Sequence, residues 1–189
     1  LFLITKTTVN ILSPFEVSGN APYDQSIPFL VLEPKMHTHY IAYYLGRKKD
    51  NPKTHWIDQV ICFFTDSKYS HVELVYDYSP DSKIGLCASS SPLDGGVRIT
   101  SINLASGRWE VYAIKSELSR DDILRFFDKE IGKKYDWLGA IGVVIPLFKN
   151  KSSRWFCSEI VGACLGLPNP KKLSPQDIFD FYKDSERIL

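Results

Sequence analysis

The chain has 189 residues, of which 44% are hydrophobic and 24% charged, and its formal net charge is +1. That length and balance describe one globular domain with room for a full core. They exclude the basic field that nucleic acid or an anionic membrane would need as a main partner.

Residues 1–35 carry Pro14, Pro22, Pro28 and Pro34 and keep no helical period, so they read as an arm, a leader or a leftover extension, with 36–189 as the functional domain. The opening LFLITKTTVNIL has neither a basic start nor a small-residue cleavage site, which argues against a signal peptide. Residues 39–45 (HYIAYYL) alternate as a strand does, and Asn51-Pro52 opens a helix expected over Thr54–Phe64. Four β-runs follow: SHVELVYDY, KIGLCASS, GVRITSI and RWEVYAI. The first two are joined at Ser79-Pro80-Asp81-Ser82 as a hairpin, and SPLDGG (91–96) is a second loop. Ser119 caps a helix with Asp121 and Asp122 in its first turn.

The apolar run WLGAIGVVIPLF (137–148) is too short for a membrane span and contains Pro146, so it is expected to be a buried helix. With no membrane span and no signal peptide seen, the expected location is cytoplasmic. Two further helices close the chain, one at Cys157 and one after Ser174-Pro175. Strands in a block between helices imply an α+β fold with an antiparallel sheet packed on helices.

Four cysteines (Cys62, Cys87, Cys157, Cys164) form no CxxC, and Cys157 and Cys164 stand too far apart along one helix to bridge; free thiols are expected. His37, His39 and His55 lack a carboxylate or cysteine at supporting spacing, so neither a metal nor another cofactor is expected.

Cysteine chemistry needs a thiolate, a base, a group that orients the base, and donors for an oxyanion. Cys157 alone sits at a helix start, where the partial positive charge favours a thiolate and the backbone amides can hold an oxyanion. It also belongs to an apolar stripe with Ile160, Val161, Cys164 and Leu165, so core filling competes as a reading. His71, at the start of a strand, is the best placed base. If the hairpin turns at Pro80, Ser89 lies opposite His71 and Cys87 diagonally on the same face, so either can orient the imidazole. Neither is the carboxylate that this role prefers.

The pieces YSHVELVY, ASSSPLDGGVRIT, KKYDWLGAIG, WFCSEIVGACLG and LSPQDIFDFY together resemble the circularly permuted papain-like enzymes. These are the NlpC-type cysteine amidase–peptidase superfamily members with histidine before cysteine, the YiiX-like group among them. The resemblance covers roughly residues 65–182. It implies a papain-like antiparallel sheet on the nucleophile helix, with Cys157 facing His71. It also implies that Tyr135 lines the cleft, and Ser158, beside the nucleophile, is the second substrate-binding candidate. Relatives commonly carry a glutamate on the strand after the histidine, where this chain is read as placing Cys87.

The expected activity is hydrolysis of an amide, in a peptide or peptidoglycan fragment. Two alternatives are acyl transfer or deacylation of an acyl-bearing lipid or ester, and a catalytically weakened binding or inhibitor protein. The sequence leaves the oligomeric state open.

Overall fold

The computed structural model describes residues 34–45, 67–137 and 153–189. The expected helix over Thr54–Phe64, with His55 and Cys62, lies outside the described residues. So do residues 1–33 and the apolar run after Trp137. Residues Pro34–Leu189 form one unit by internal contacts.

Within it the β-branched and aromatic runs form strands β1 (His37–Leu45), β2 (Tyr69–Ser79), β3 (Ile84–Ser91), β4 (Gly96–Asn103) and β5 (Trp109–Ser116). Three two-residue strands, β6 (Lys134–Tyr135), β7 (Arg154–Trp155) and β8 (Glu186–Arg187), complete an eight-stranded sheet of order β7-β6-β4-β3-β2-β1-β5-β8. Helices α1 (Arg120–Asp128), α2 (Cys157–Cys164) and α3 (Pro175–Tyr182) pack on it, giving an α+β fold.

The sheet is mixed rather than purely antiparallel. All described pairings are antiparallel except β6 with β7, which run parallel at Lys134↔Arg154 and Tyr135↔Trp155.

The helix ends follow from short local signals. Ser119 and Asp122 make a reciprocal capping box on α1: the Asp122 N–H donates to Ser119 Oγ at 3.2 Å and the Ser119 N–H to Asp122 Oδ2 at 2.9 Å. Ser174 and Asp177 do the same for α3, at 3.1 and 2.7 Å. In the loop after β3, Ser91 Oγ accepts from the Leu93 and Asp94 N–H groups, and Gly95 takes φ +78°. Gly96, beside it, has no room for a side chain. An added Cβ would lie 2.0 Å from the Lys133 carbonyl oxygen, so glycine is what lets β6 close onto β4.

Two apolar clusters flank the sheet. The larger joins Ile41, Val72, Leu74, Tyr76 and Ala88 of the strands to Ile123 and Phe127 of α1, Ile160 and Val161 of α2, and Ile178 of α3. The smaller contains Ala42, Val75, Cys87, Leu104 and Val111. Alternation along β2 sends Val72, Leu74 and Tyr76 into the first cluster and Val75 into the second. Cys164 is buried in the first cluster, and burial pushes its thiol up to about 12. No helix among the described residues is long and apolar enough to cross a membrane.

The register of the β2–β3 hairpin decides which side chains can stand beside His71. The hairpin closes at Ser79↔Ile84, so its loop is Pro80–Lys83, with Lys83 at φ +53°. A bulge then falls between Val75 and Asp77. Together these pair Val75 with Cys87 and Leu74 with Ala88, whereas a turn centred on Pro80 sets Val75 against Gly85. Ser89 is therefore not opposite His71.

Candidate active site

His71 lies near the start of β2, which is an interior strand paired with β1 on one side and β3 on the other, not a sheet edge. The β1 ladder runs to Tyr44↔His71 and then shifts before Leu45↔Tyr69. On the other side the β3 ladder stops at Leu74↔Ala88, although both strands continue. Past that point Ser89 Oγ donates to the Val72 carbonyl at 2.8 Å, and Ser90 Oγ to the Trp155 carbonyl at 2.7 Å. The second bond ties β3 to the segment that leads into α2, and it is at this end of β2 that Cys157 meets His71.

Cys157 is the first residue of α2 and is buried, and its thiol stands close enough to the His71 ring to act on its protonation. His71 Nε2 lies 2.6 Å from Glu73 Oε1, which leaves Nδ1 as the ring nitrogen for the thiol. The His71 side chain is 16% exposed and that of Glu73 fully buried. Burial alone works against a charged imidazole. The charges of Cys157 and Glu73, and the side-chain contacts with both, outweigh it and push the imidazole up to about 10. For Glu73, burial favours the neutral acid, but His71 and Arg98 hold the carboxyl below the usual glutamate range. Arg98 reaches Glu73 from β4: Nη1 donates to Oε2 at 2.7 Å and Nη2 donates to Oε1. The Trp109 ring stands beside His71, with centroids 6.3 Å apart, and itself packs on Tyr44.

The first turn of α2 is fixed from behind. The Glu159 carboxylate accepts the Phe156 N–H at 3.0 Å and pairs with Lys171 Nζ at 3.1 Å. Burial pushes the Glu159 carboxyl above its ordinary value, against the pull of the Phe156 N–H and of Lys171. The residues on both sides of Cys157 are thus held by bonds that do not involve its thiol.

Of the residues singled out in the sequence, Cys157 and His71 come together. Cys87 and Ser89 do not orient the imidazole. Cys87 donates to the Gly85 carbonyl at 3.4 Å and packs with Val75, Leu104 and Val111; burial, and then the nearby Glu73 charge, push its thiol well up despite Arg98. Ser89 is spent on the Val72 carbonyl. Ser158 is buried and donates to the Leu173 carbonyl, joining α2 to the chain before α3 rather than facing a cleft. Tyr135 is buried in the larger core, its ring 5.8 Å from Phe156 and 5.1 Å from Trp137.

The residue missing from the sequence reading is Glu73. Its signal is a spacing of two: on a strand, positions 71 and 73 share a face, so SHVELVY presents histidine and glutamate side by side. The physical oddity of a carboxylate between Val72 and Leu74 is a second signal. Arg98 has a weaker one, as the single charge in GVRIT. Among the described residues no group of histidine, cysteine and acidic side chains has the makings of a metal site. Compared with protein-family models the chain matches none, and compared with curated proteins it again finds no match.

Proposed function

We propose that the chain is a cysteine hydrolase of the papain-like, permuted NlpC type, cleaving an amide in a peptide or peptidoglycan-type substrate. The observation that carries the reading is the continuous set Cys157–His71–Glu73, with a ring nitrogen for the thiol and the other on a buried carboxylate. A thiol alone is common in cores; a thiol paired to a histidine that is itself oriented by an acid is the arrangement nucleophilic catalysis needs.

In this reading the Cys157 thiolate attacks the carbonyl carbon, forming a C–S bond and an oxyanion. Backbone N–H groups at the start of α2 receive that charge. The His71 imidazolium gives its proton to the departing amine as the C–N bond breaks. Water then adds to the thioester with His71 as base, and C–S cleavage restores the thiolate. Glu73 stays ionised throughout and stabilises the imidazolium. A catalytically weakened binding protein drew its support from the absence of an acid beside the histidine, and Glu73 removes that support.

The test is alkylation by iodoacetamide across pH, read residue by residue by mass spectrometry. Cys157 is expected to react well below pH 8 and to lose that reactivity in His71→Ala, while Cys87 and Cys164 stay unlabelled in the folded chain. Labelling of Cys157 no faster than in the unfolded chain, or unaffected by His71→Ala, rejects the hydrolase. Turnover on a panel of muropeptides, peptides and acyl esters then separates amide hydrolysis from acyl transfer or deacylation.

A further inference from the structure

We propose that Arg98 is a positioning residue of this site, holding Glu73 ionised and fixed so that His71 stays turned toward Cys157. The inference rests on the hydrolase reading and adds a fourth, charged member to it. Three observations support it.

First, the guanidinium grips both Glu73 oxygens, the bidentate geometry that arginine forms best with a carboxylate. Second, the contact is made to order across the sheet. Arg98 is paired with Ser89 of β3, and its side chain crosses that strand to reach β2. Third, Arg98 Nε donates to Asp94 Oδ2 at 3.0 Å, so each of its three nitrogens already meets a carboxylate. A side chain so occupied, and only 16% exposed, is a poor receptor for a substrate anion. It is well suited to act on another side chain.

The chemical need is specific. A buried carboxylate hydrogen-bonded to an imidazolium has an easy escape: the proton moves across and two neutral groups remain. A neutral Glu73 no longer stabilises the cation, and the thiolate loses its counter-ion. A fixed positive charge on the far side of Glu73 opposes that transfer. Among the described residues, the titratable and charged groups facing Glu73 are His71 on its own strand, Cys87 from β3 and Arg98 from β4, while β1 sets Ala42 against it. Among the described residues Arg98 is thus the one permanent cation facing Glu73.

The experiment compares wild type, Arg98→Met, Arg98→Lys, Glu73→Gln and the double variant Glu73→Gln/Arg98→Met. Cys157 alkylation by iodoacetamide is followed from pH 4 to pH 9 on the full chain, with folding checked by circular dichroism. Arg98→Met is expected to move the acid edge of the profile upward by about one pH unit and to slow labelling near pH 6 about tenfold. Arg98→Lys, which keeps the charge but not the fork, should shift it less. The double variant should match Glu73→Gln alone, because Arg98 acts through that carboxylate.

A folded Arg98→Met with the wild-type profile overturns the inference, as does a double variant whose shift exceeds that of Glu73→Gln. If Arg98→Met fails to fold, Arg98→Lys and the double variant decide: a wild-type edge in Arg98→Lys overturns the proposal, and an upward shift supports it. A wild-type Cys157 that labels like an unfolded thiol overturns the hydrolase reading itself. An activated wild type with an unmoved Arg98→Met overturns only the role of Arg98.

Discussion

Cys157→Ser should abolish turnover, by a factor on the order of 10⁴ or more, while leaving the fold intact. The substitution is nearly isosteric at a buried position, so neither the packing of α2 nor the Glu159 bond to the Phe156 N–H is disturbed. What is lost is the sulfur nucleophile of the proposed mechanism, since a serine hydroxyl gives up its proton far less readily than a thiol. The measurement is turnover on whichever member of the amide panel the wild type cleaves, alongside a thermal melt. An unchanged melting temperature with no turnover is the expected result. Wild-type turnover in the serine variant would remove Cys157 from the mechanism, whatever its contact with His71.

Cys87→Glu should destabilise the domain by about 3–5 kcal/mol, enough to unfold or aggregate a marginal fold. If position 87 were the third member of the site, the same change would supply a missing acid and sharpen the thiol reactivity. The structure puts Cys87 in the smaller apolar cluster with Val75, Leu104 and Val111, and within reach of the Glu73 charge. A new carboxylate there is desolvated, and it faces a like charge that His71 and Arg98 already satisfy. Urea denaturation of Cys87→Glu against Cys87→Ala measures the difference, since both lose the thiol and only one adds a charge. A soluble Cys87→Glu with the stability of Cys87→Ala would show that the position faces solvent or the cleft.

These two positions also mark where the sequence was legible. The place of Cys157 at a helix start was readable because its evidence is local: a cysteine, then Ser158 and Glu159, at the start of an apolar helical stripe. The strands and caps were readable for the same reason, with Ser119 and Asp122, or Ser174 and Asp177, only three residues apart. The partner of His71 was sought across the hairpin, and that search depended on a register no local signal reports. A turn shifted along the chain and a bulge moved the pairing, and the residues counted as opposite proved to be elsewhere. Glu73 needed no register at all, only the period of two along one strand. It was passed over because the orienting group was looked for on the next strand, at Cys87 and Ser89, and not along β2 itself. Arg98 meets Glu73 from β4, two strands away, and nothing in GVRIT tells how far its side chain reaches.

The carboxylates and cations of the site form a string, His71–Glu73–Arg98–Asp94, that alternates in sign from the interior outward. Only its last member meets solvent broadly: Asp94 is 51% exposed, while Glu73 is at zero and His71 and Arg98 at 16%. Dissolved ions screen charges they can surround, over a Debye length of about 8 Å at physiological ionic strength. The Arg120–Asp77 pair, about half exposed on both sides, is open to that screening and fades as salt is added. The inner links of the string are not, because no counter-ion can come between His71, Glu73 and Arg98. Ionic strength therefore acts on this domain at its surface pairs and at the Asp94 end, and leaves the polarity around the thiol to the protein alone.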